Sequence, residues 1–462
     1  MKTLSFAIGV AVLVSLNSRA AEIPIPEAPE DTPITVATND AAQNGRMAWW
    51  SEARFGMFIH WGLYSQWGCH YPGTNGELIN GGSEHMMQHL QIPLTNYAKI
   101  ADIFSPTNFN ADQWVSIAKD AGMKYIVFTT KHHDGFAMYD SPSSDFNIVK
   151  RTSWHRDPVK ELADACRRQG LKLGLYYSLG RDWEDPDVPT EIKKDGKRRS
   201  NDWDWPDETK KDFSKYFERK VKPQITELLT QYGPVAVLWF DTPERISRAE
   251  SRELADLIHK LQPDCIVNSR IGGGLGDYGV QEQKIPGGAD TKPWETCMTL
   301  NGHWGYFLGD ENWKPARTVI TNLADIISKG GNYLVNVGPT GEGIIPRGAV
   351  DDLKQVGAWM KVNSESIYGT TASPVKTPSW GRVTKKGDTW YLHVFAWPAD
   401  GKLVLNGARS APTKAYLLAD DKGSPVENEF VAADGSPDLN RLTLQLPAKA
   451  LDPIDTVVVL KF

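Results

Sequence analysis

Ionisable or hydroxyl-bearing side chains recur at the ends of short apolar segments in this sequence. The residues concerned are His60, Lys131, His132, His133, Asp134, Tyr177, Asp241, Arg270 and Glu295. Carboxylates, imidazoles and guanidinium groups can attack a substrate, transfer a proton or bind polar groups of a ligand. A purely structural scaffold needs none of them at six successive strand ends. Their placement therefore predicts an active site at one end of a set of strands.

The carboxylate of Asp241 is the clearest candidate for a functional group, because the segment that it ends is otherwise apolar. It ends the apolar segment VAVLWFD at 235–241, where Trp239 and Phe240 precede it. One interpretation is structural, as a helix cap or a salt-bridge partner. The other, which we favour, is a carboxylate at the floor of an apolar pocket, where it can attack a carbon or stabilise developing positive charge.

The segment HHDGF at 132–136 raises the question of a metal site. His132, His133, His60 and Asp134 could gather around zinc, which binds neutral imidazole. Adjacent residues of a strand point to opposite faces, however, so both histidines could not bind one ion without distortion. The sequence also lacks the HExxH helix of metallohydrolases. We therefore predict no metal and no cofactor, with the histidines donating hydrogen bonds to substrate hydroxyls.

The elements that must position these residues are short apolar runs alternating with amphipathic helices. Seven runs are continuously apolar, as is typical of parallel strands buried on both faces: 57–62, 125–131, 172–178, 235–241, 265–270, 294–300 and 332–338. Helix signals lie between them, such as Asp157-Pro158 at a helix start and Gly170 at its end. The pattern predicts an α/β fold, a TIM-like (β/α) barrel over 46–370. No eighth strand can be placed, which leaves an irregular barrel open.

The sequence pattern changes after about Ser373. Short β runs separated by Gly, Asp, Asn and Pro turns predict a C-terminal β-sandwich over 371–462. A packing role is the simplest interpretation of this domain, with sugar binding as the alternative.

Composition limits the classes of function. The 462 residues are 40% hydrophobic and 23% charged, which excludes wholesale disorder, and the net charge of −6 gives no reason to expect nucleic acid as a partner. The 17 tryptophans offer flat apolar surfaces of the kind that suit sugar rings. The four cysteines form no CxxC pair, and we expect buried thiols rather than a disulfide framework.

The N-terminus is typical of an export signal. Lys2 precedes an apolar run from Leu4 to Leu16, and Ser18-Arg19-Ala20 supplies the small residues of a cleavage site. We predict a signal peptide over 1–20, an extended lead-in over 21–45, and a mature protein exported to the periplasm or beyond with no membrane segment. A retained N-terminal anchor is the alternative.

Several long blocks together resemble one known family. They are ARFGMFIHWG, AKDAGMKYIVFTTKHHDGFAMYDS, SDFNIV, RDPVKELADACRRQGLKLGLYYS, LWFD and SKGGNYLVNVGPTGEG. In this order, over about 46–370, they resemble the α-L-fucosidases of glycoside hydrolase family 29. The resemblance implies a barrel followed by a β-sandwich, no metal, and retaining hydrolysis of terminal α-L-fucose from fucosylated glycans. A fucose-binding relative with little turnover and an exported hydrolase for another sugar are the alternatives.

The resemblance also implies roles for individual residues. Asp241 matches the nucleophile, and Trp304 matches an aromatic side chain that lies against the C5-methyl side of fucose. The residues expected to bind the sugar are His60, Glu84, His85, His132, His133, Tyr177, Trp239 and Arg270. His85 is a departure, because the family often has Trp after the residue that matches Glu84.

The acid/base has two candidates. Glu282 lies in the segment GDYGVQEQ, predicted as a loop after the fifth strand, and Glu295 lies in the sixth predicted strand. The resemblance favours Glu282, which leaves Glu295 as a supporting carboxylate. A retaining pair requires carboxyl groups ~5–5.5 Å apart. We expect that spacing between Asp241 and Glu282 when a ligand is bound.

Overall fold

The structure, a computed structural model, describes residues 41–190, 199–288, 292–433 and 435–462. The predicted signal peptide, 1–20, and most of the predicted lead-in, 21–45, lie outside these ranges. The first helix begins at Ala41, so the last residues of the predicted lead-in are helical. Within the described ranges, no helix combines the length and the apolar character that a membrane span requires.

Eight parallel strands form the curved sheet of a TIM-like barrel, as predicted. The strands are β1 (Phe55–Ile59), β2 (Tyr125–Lys131), β3 (Lys172–Ser178), β4 (Val237–Asp241), β5 (Ile266–Val267), β6 (Gly279–Glu282), β7 (Trp294–Thr299) and β8 (Asn332–Val337). Each strand pairs with its neighbours in chain order, and β8 pairs with β1. A parallel bridge between Asn268 and Tyr278 joins β5 to β6 and completes the circle.

The barrel is irregular at the strand that the sequence analysis could not place. This strand is β6, and Glu282 is its last residue rather than part of a loop after the fifth strand. β6 has four residues and β5 only two, so neither offers a long apolar run. Within the described residues, no α-helix lies between β5 and β6 or between β6 and β7. The polar end of β6 is therefore close in sequence to that of β5.

The longer helices pack around the barrel, and the side chains of Asn110, Asp157 and Ser247 cap the starts of three of them. The longer helices are α1 (Ala41–Ala53), α2 (Ala111–Asp120), α3 (Pro158–Gln169), α4 (Lys222–Gln231), α5 (Arg248–Leu261), α6 (Ala316–Ser328) and α7 (Arg347–Asn363). The Asp157 side chain accepts from the Lys160 N–H at the start of α3, and Gly170 ends that helix with a φ of 79°. Both features agree with the sequence signals. One-turn helices also occur, at Met86–His89, Leu94–Tyr97, Ile100–Ile103, Ile148–Arg151 and Phe213–Tyr216.

The barrel interior is filled with large side chains below its polar end. Trp50 of α1 packs on Tyr278 with ring centroids 4.8 Å apart, beside Phe58, Tyr125 and Trp239. This packing gives the strand ends a rigid floor. The four cysteines are free and buried, as expected.

Two antiparallel sheets form the C-terminal domain. One sheet contains β9 (Gly381–Lys386), β10 (Thr389–Val394), β12 (Lys414–Leu417) and β15 (Thr456–Lys461); the other contains β11 (Lys402–Asn406), β13 (Glu427–Val431) and β14 (Arg441–Gln445). Their inward residues share one apolar core, which includes Leu392, Leu405, Leu444 and Val458. This is the β-sandwich that the sequence predicts.

Candidate active site

A pocket opens at the carboxyl ends of the barrel strands. The space between its walls, including the part open to solvent, is about 600 Å³. Ten of the twelve predicted site residues line it: His60, Glu84, His85, His132, His133, Trp239, Asp241, Arg270, Glu282 and Trp304. Tyr177 and Glu295 do not.

The Asp241 carboxylate is held by three donors. Its Oδ2 accepts from the Tyr176 hydroxyl at 2.8 Å, and its Oδ1 accepts from Arg270 Nη1 at 2.7 Å and from the Thr242 N–H at 2.8 Å. Burial would raise the pKa of Asp241, but the charge of Arg270 and the Tyr176 hydrogen bond outweigh it, and the pKa lies below its usual value. Asp241 is therefore ionised at neutral pH and fixed in orientation.

Arg270 joins the two pocket carboxylates. Its Nη2 donates to Glu282 Oε2 at 2.5 Å while its Nη1 binds Asp241. Burial and the nearby charge of Asp241 raise the pKa of Glu282, against the opposing effect of Arg270. Two carboxyl groups on one guanidinium thus have pKa values moved in opposite directions, as in acid/base pairs that divide two roles.

His60 is positioned as a hydrogen-bond acceptor. Its Nδ1 is 2.7 Å from Asn336 Oδ1, and Asn336 Nδ2 donates to the Trp304 carbonyl at 2.7 Å, which orients the amide. His60 Nδ1 must therefore donate. Burial lowers the pKa of His60 to about 4, so Nε2 carries a lone pair that can accept from a substrate hydroxyl. This acceptor geometry at Nε2 differs from the donor role that the sequence analysis predicts for the histidines.

His132 and His133 both line the pocket, contrary to the expectation that they face opposite sides. The pairing of β2 with β3 is irregular between Thr129 and Lys131, and β2 ends at Lys131. The two histidines therefore lie in the turn after the strand, with ring centroids 4.0 Å apart. His133 Nδ1 contacts Ser178 Oγ at 2.6 Å, and its Nε2 is 3.8 Å from Asp241 Oδ2.

The predicted sugar-binding role of Tyr177 does not match its position. In β3 and β4, Tyr176 pairs with Trp239 and Tyr177 with Phe240, and paired residues of parallel strands point to the same side. Tyr176 therefore points inward with Trp239. The Tyr177 hydroxyl instead donates to Gln224 Oε1 at 2.8 Å, on the helix side of the barrel wall.

Replacing Tyr176 with Phe should lower kcat/KM by roughly 10- to 100-fold, because a hydrogen bond to a charged group contributes ~1.5–3 kcal/mol. Loss of the hydroxyl should also raise the pKa of Asp241. Activity would then fall at a higher pH on the acidic side of the profile. The matched control is Tyr177→Phe, which loses hydroxyl contacts with Gln224 and Tyr216 outside the pocket and should keep kcat/KM. Equal effects of the two variants on the pH profile would contradict this assignment.

Glu295 lies inside the barrel, beneath the pocket wall. Its side chain accepts from the Tyr125 hydroxyl at 2.5 Å and from Trp239 Nε1 at 2.9 Å. Burial raises its pKa to about 7, although these hydrogen bonds oppose the shift. Glu295 does not line the pocket but binds Trp239, which does, so its geometry suits a positioning residue.

Glu295→Gln should keep kcat within about tenfold of the wild type. The amide oxygen can still accept from Trp239, and the amide N–H can donate to the Tyr125 oxygen. Glu295→Ala leaves two buried donors without an acceptor and should cost ~2–5 kcal/mol, measured as a lower midpoint of thermal unfolding. A loss of kcat in the Gln variant as large as that in Glu282→Gln would instead favour Glu295 as the proton donor.

Glu84 and Trp304 form one side of the pocket. Glu84 is buried, burial raises its pKa, and its Oε2 accepts from the Gly305 N–H at 3.2 Å. The Trp304 ring lies 5.1 Å from the His60 ring, and the ring of His85 lies 5.1 Å from that of His133. The pocket thus combines an aromatic wall with neutral imidazoles and carboxylates.

The structure adds pocket residues that the sequence analysis missed: Phe58, Tyr176, Arg181, Arg199, Thr242 and Cys297. Alternation along β1, β3 and β7 places Phe58, Tyr176 and Cys297 on the inner face, and matching the strands in register could have found them. Arg181 and Arg199 come from the connection between β3 and β4. No local pattern marks them.

The sequence profile of the α-L-fucosidase family matches residues 25–365. The chain belongs to this family. It is 31% identical to the tissue α-L-fucosidase of Bos taurus over 397 residues, covering 81% of this chain and 80% of the relative. It is also 31% identical to the human plasma α-L-fucosidase over 438 residues, covering 87% and 88%.

Solved structures of α-L-fucosidases have the same fold. Isoenzyme 1 from Paenibacillus thiaminolyticus superposes with a TM-score of 0.79 at 36% identity, over 91% of this chain and 99% of that one. The enzyme from Vibrio sp. strain EJY3 gives 0.80 at 34% identity, over 92% and 73%. AlfC from Lactobacillus casei, in complex with α-L-fucose, gives 0.64 at 39% identity, over 70% and 100%. This α-L-fucosidase family member is thus a glycoside hydrolase of family 29, as the sequence resemblance implies.

Proposed function

We propose that this α-L-fucosidase family member removes terminal α-L-fucose from glycans with retention of configuration, with Asp241 as nucleophile and Glu282 as acid/base. The observation that carries the proposal is the pair of pocket carboxylates bound to one guanidinium, that of Arg270. Asp241 has a lowered pKa and Glu282 a raised one. Double displacement needs that division between an ionised attacking group and a protonated donor.

In the first step, Asp241 attacks the anomeric carbon and a new carbon–oxygen bond forms. The bond to the leaving oxygen breaks, and Glu282 transfers its proton to that oxygen. In the second step, Glu282 accepts a proton from water while the water oxygen attacks the same carbon. The fucosyl–Asp241 bond then breaks, which releases fucose and restores both carboxyl groups.

The other pocket residues would bind the sugar. Neutral His60 presents Nε2 as an acceptor for a hydroxyl, and Glu84 adds a buried carboxylate. Trp304 offers an apolar ring beside His60, a surface that suits the C5-methyl side of fucose. Tyr176 and Arg270 contact Asp241 directly, and we propose that they orient it toward the anomeric carbon.

The test of this function is proton NMR during hydrolysis of 4-nitrophenyl α-L-fucoside. A retaining enzyme releases α-L-fucose first, and the β-anomer grows only by mutarotation. Initial release of β-L-fucose would overturn the double displacement. Binding of L-fucose without turnover would overturn the enzymatic proposal.

We further propose that residues 1–20 direct export, because Lys2, the apolar run and Ser18-Arg19-Ala20 have the order of a cleavable signal. Edman sequencing of the mature protein should begin just after Ala20 or Ala21. A mature protein that still begins at Met1 would contradict cleavage.

A further inference from the structure

Three histidines gather beside the two pocket carboxylates. One ring nitrogen each from His85, His132 and His133 lies within 4.8 Å of the others. Two chain segments supply them: the turn before the helix Met86–His89 and the turn after β2. The imidazole cluster is therefore built by the tertiary fold and not by a local sequence repeat.

The hydrogen bonds around His133 leave its inner nitrogen with a lone pair. Ser178 Oγ donates to the Arg181 carbonyl at 2.8 Å, so it accepts from His133 Nδ1. His133 Nε2 is then the unprotonated atom of the neutral ring. This arrangement, with the second ring N–H fixed by a protein oxygen, is how metal-binding histidines are commonly oriented.

Within the described part of the chain, His85 and His132 each have a buried ring nitrogen without a hydrogen-bond partner. Among the residues that the structure describes, the Nδ1 atoms of both have no hydrogen-bond partner. A buried nitrogen without a partner is costly, and a ligand would relieve that cost.

We propose that His85, His132 and His133 bind a zinc or copper(II) ion that blocks the sugar pocket. Neutral imidazole suits these ions, whereas magnesium and calcium prefer oxygen ligands. Zinc–nitrogen bonds of ~2.0–2.1 Å in a tetrahedral site place the nitrogens about 3.4 Å apart. Small side-chain rotations of about 1 Å would close the cluster from its present spacing. Water can complete the coordination.

The charges around the cluster allow a cation to bind. Arg181, Arg199 and Lys131 are positive groups that act on these rings, and ion pairs join Arg181 to Glu244 at 2.6 Å and Lys131 to Asp182 at 2.8 Å. Asp241 Oδ2 lies 3.8 Å from His133 Nε2 and supplies negative charge on the pocket side. An ion held there would lie where the fucosyl ring must bind, so metal and sugar should compete.

The site depends on His85, which supplies one of the three imidazoles. An ion that only blocks the pocket takes no part in the reaction, so inhibition by the metal is compatible with metal-independent catalysis.

The test is isothermal titration of the purified full chain with zinc chloride in a buffer without chelators. The wild type should bind one equivalent, and both His85→Asn and His85→Gln should bind at least tenfold more weakly. The matched control is His155→Asn, an exposed histidine outside the pocket whose φ of 49° also suits Asn. Equal affinity in the wild type and the His85 variants, or no zinc binding by the wild type, would overturn the site.

A second measurement on the wild type needs no variant. Saturating L-fucose should weaken zinc binding at least tenfold, and zinc should raise the apparent KM for 4-nitrophenyl α-L-fucoside until EDTA reverses the effect. Equal zinc affinity with and without saturating L-fucose would overturn the blocking role. The activity readout rests on the proposed function, but the zinc stoichiometry does not, so the two can fail separately.

Discussion

Asp241→Asn should lower kcat for 4-nitrophenyl α-L-fucoside by at least ~10³-fold, the scale seen when a covalent nucleophile is removed. The amide cannot form the glycosyl bond. Its oxygen can still accept from Arg270 and the Thr242 N–H, its own N–H can donate to the Tyr176 oxygen, and Arg270 keeps its ion pair with Glu282. The variant should therefore fold and still bind L-fucose, which titration calorimetry measures directly. A kcat above about a tenth of the wild-type value would contradict Asp241 as the nucleophile.

Asp134→Asn is the matched control for the loss of a buried strand-end carboxylate. Asp134 accepts from the Tyr97 hydroxyl at 2.8 Å and does not line the pocket. Asn keeps an oxygen for the Phe136 N–H, and its own N–H can donate to the Tyr97 oxygen, so kcat should fall less than tenfold. A loss in the control as large as in Asp241→Asn would attribute the effect to folding and not to chemistry.

The strand pattern predicts the barrel because parallel strands buried on both faces leave continuous apolar runs. It fails at β6, where GVQE is short and ends in polar residues, and where β5 contributes only two residues to the sheet. Pairing with β7 and the bridge from Asn268 to Tyr278 define this edge. Such pairing joins residues distant along the chain and cannot be seen in one short segment.

The site residues also divide into those that a local pattern predicts and those that depend on how the strands pair. Asp241 and Arg270 end or follow apolar runs, and the structure brings them together at 2.7 Å. Choosing Tyr176 rather than Tyr177 requires the register of β3 against β4, and assigning the face of His133 requires the irregular end of β2. A shift of one residue reverses the face of every side chain in a strand. Residue type therefore predicts the chemistry more readily than the orientation.

Glu282→Ala should lower kcat for the 4-nitrophenyl substrate by roughly 10²- to 10⁴-fold, the usual contribution of general acid–base catalysis. Nitrophenolate leaves without much protonation, so the slow step becomes hydrolysis of the fucosyl–Asp241 bond. Azide needs no general base and should accelerate that step at least tenfold. The product should be α-L-fucosyl azide, because two displacements retain configuration.

The pH profile gives the same assignment a second test. Catalysis requires protonated Glu282, so wild-type kcat/KM should fall as pH rises through the pKa that burial and Asp241 raise. It requires ionised Asp241, so kcat/KM should also fall as pH decreases through the pKa that Arg270 and Tyr176 lower. Because Asp241 and Glu282 are coupled through Arg270, the two limbs of the profile give apparent pKa values that belong to the pair. Glu282→Ala should remove the basic limb and keep the acidic one.

Glu295→Ala is the control for azide rescue. Its carboxylate accepts from Tyr125 and Trp239 inside the barrel and does not line the pocket. Azide should leave its rate unchanged, since no cavity opens beside the anomeric carbon. Rescue confined to Glu295→Ala would transfer the acid/base role to that residue. β-L-fucosyl azide from Glu282→Ala would show single displacement, because only one substitution at the anomeric carbon inverts it.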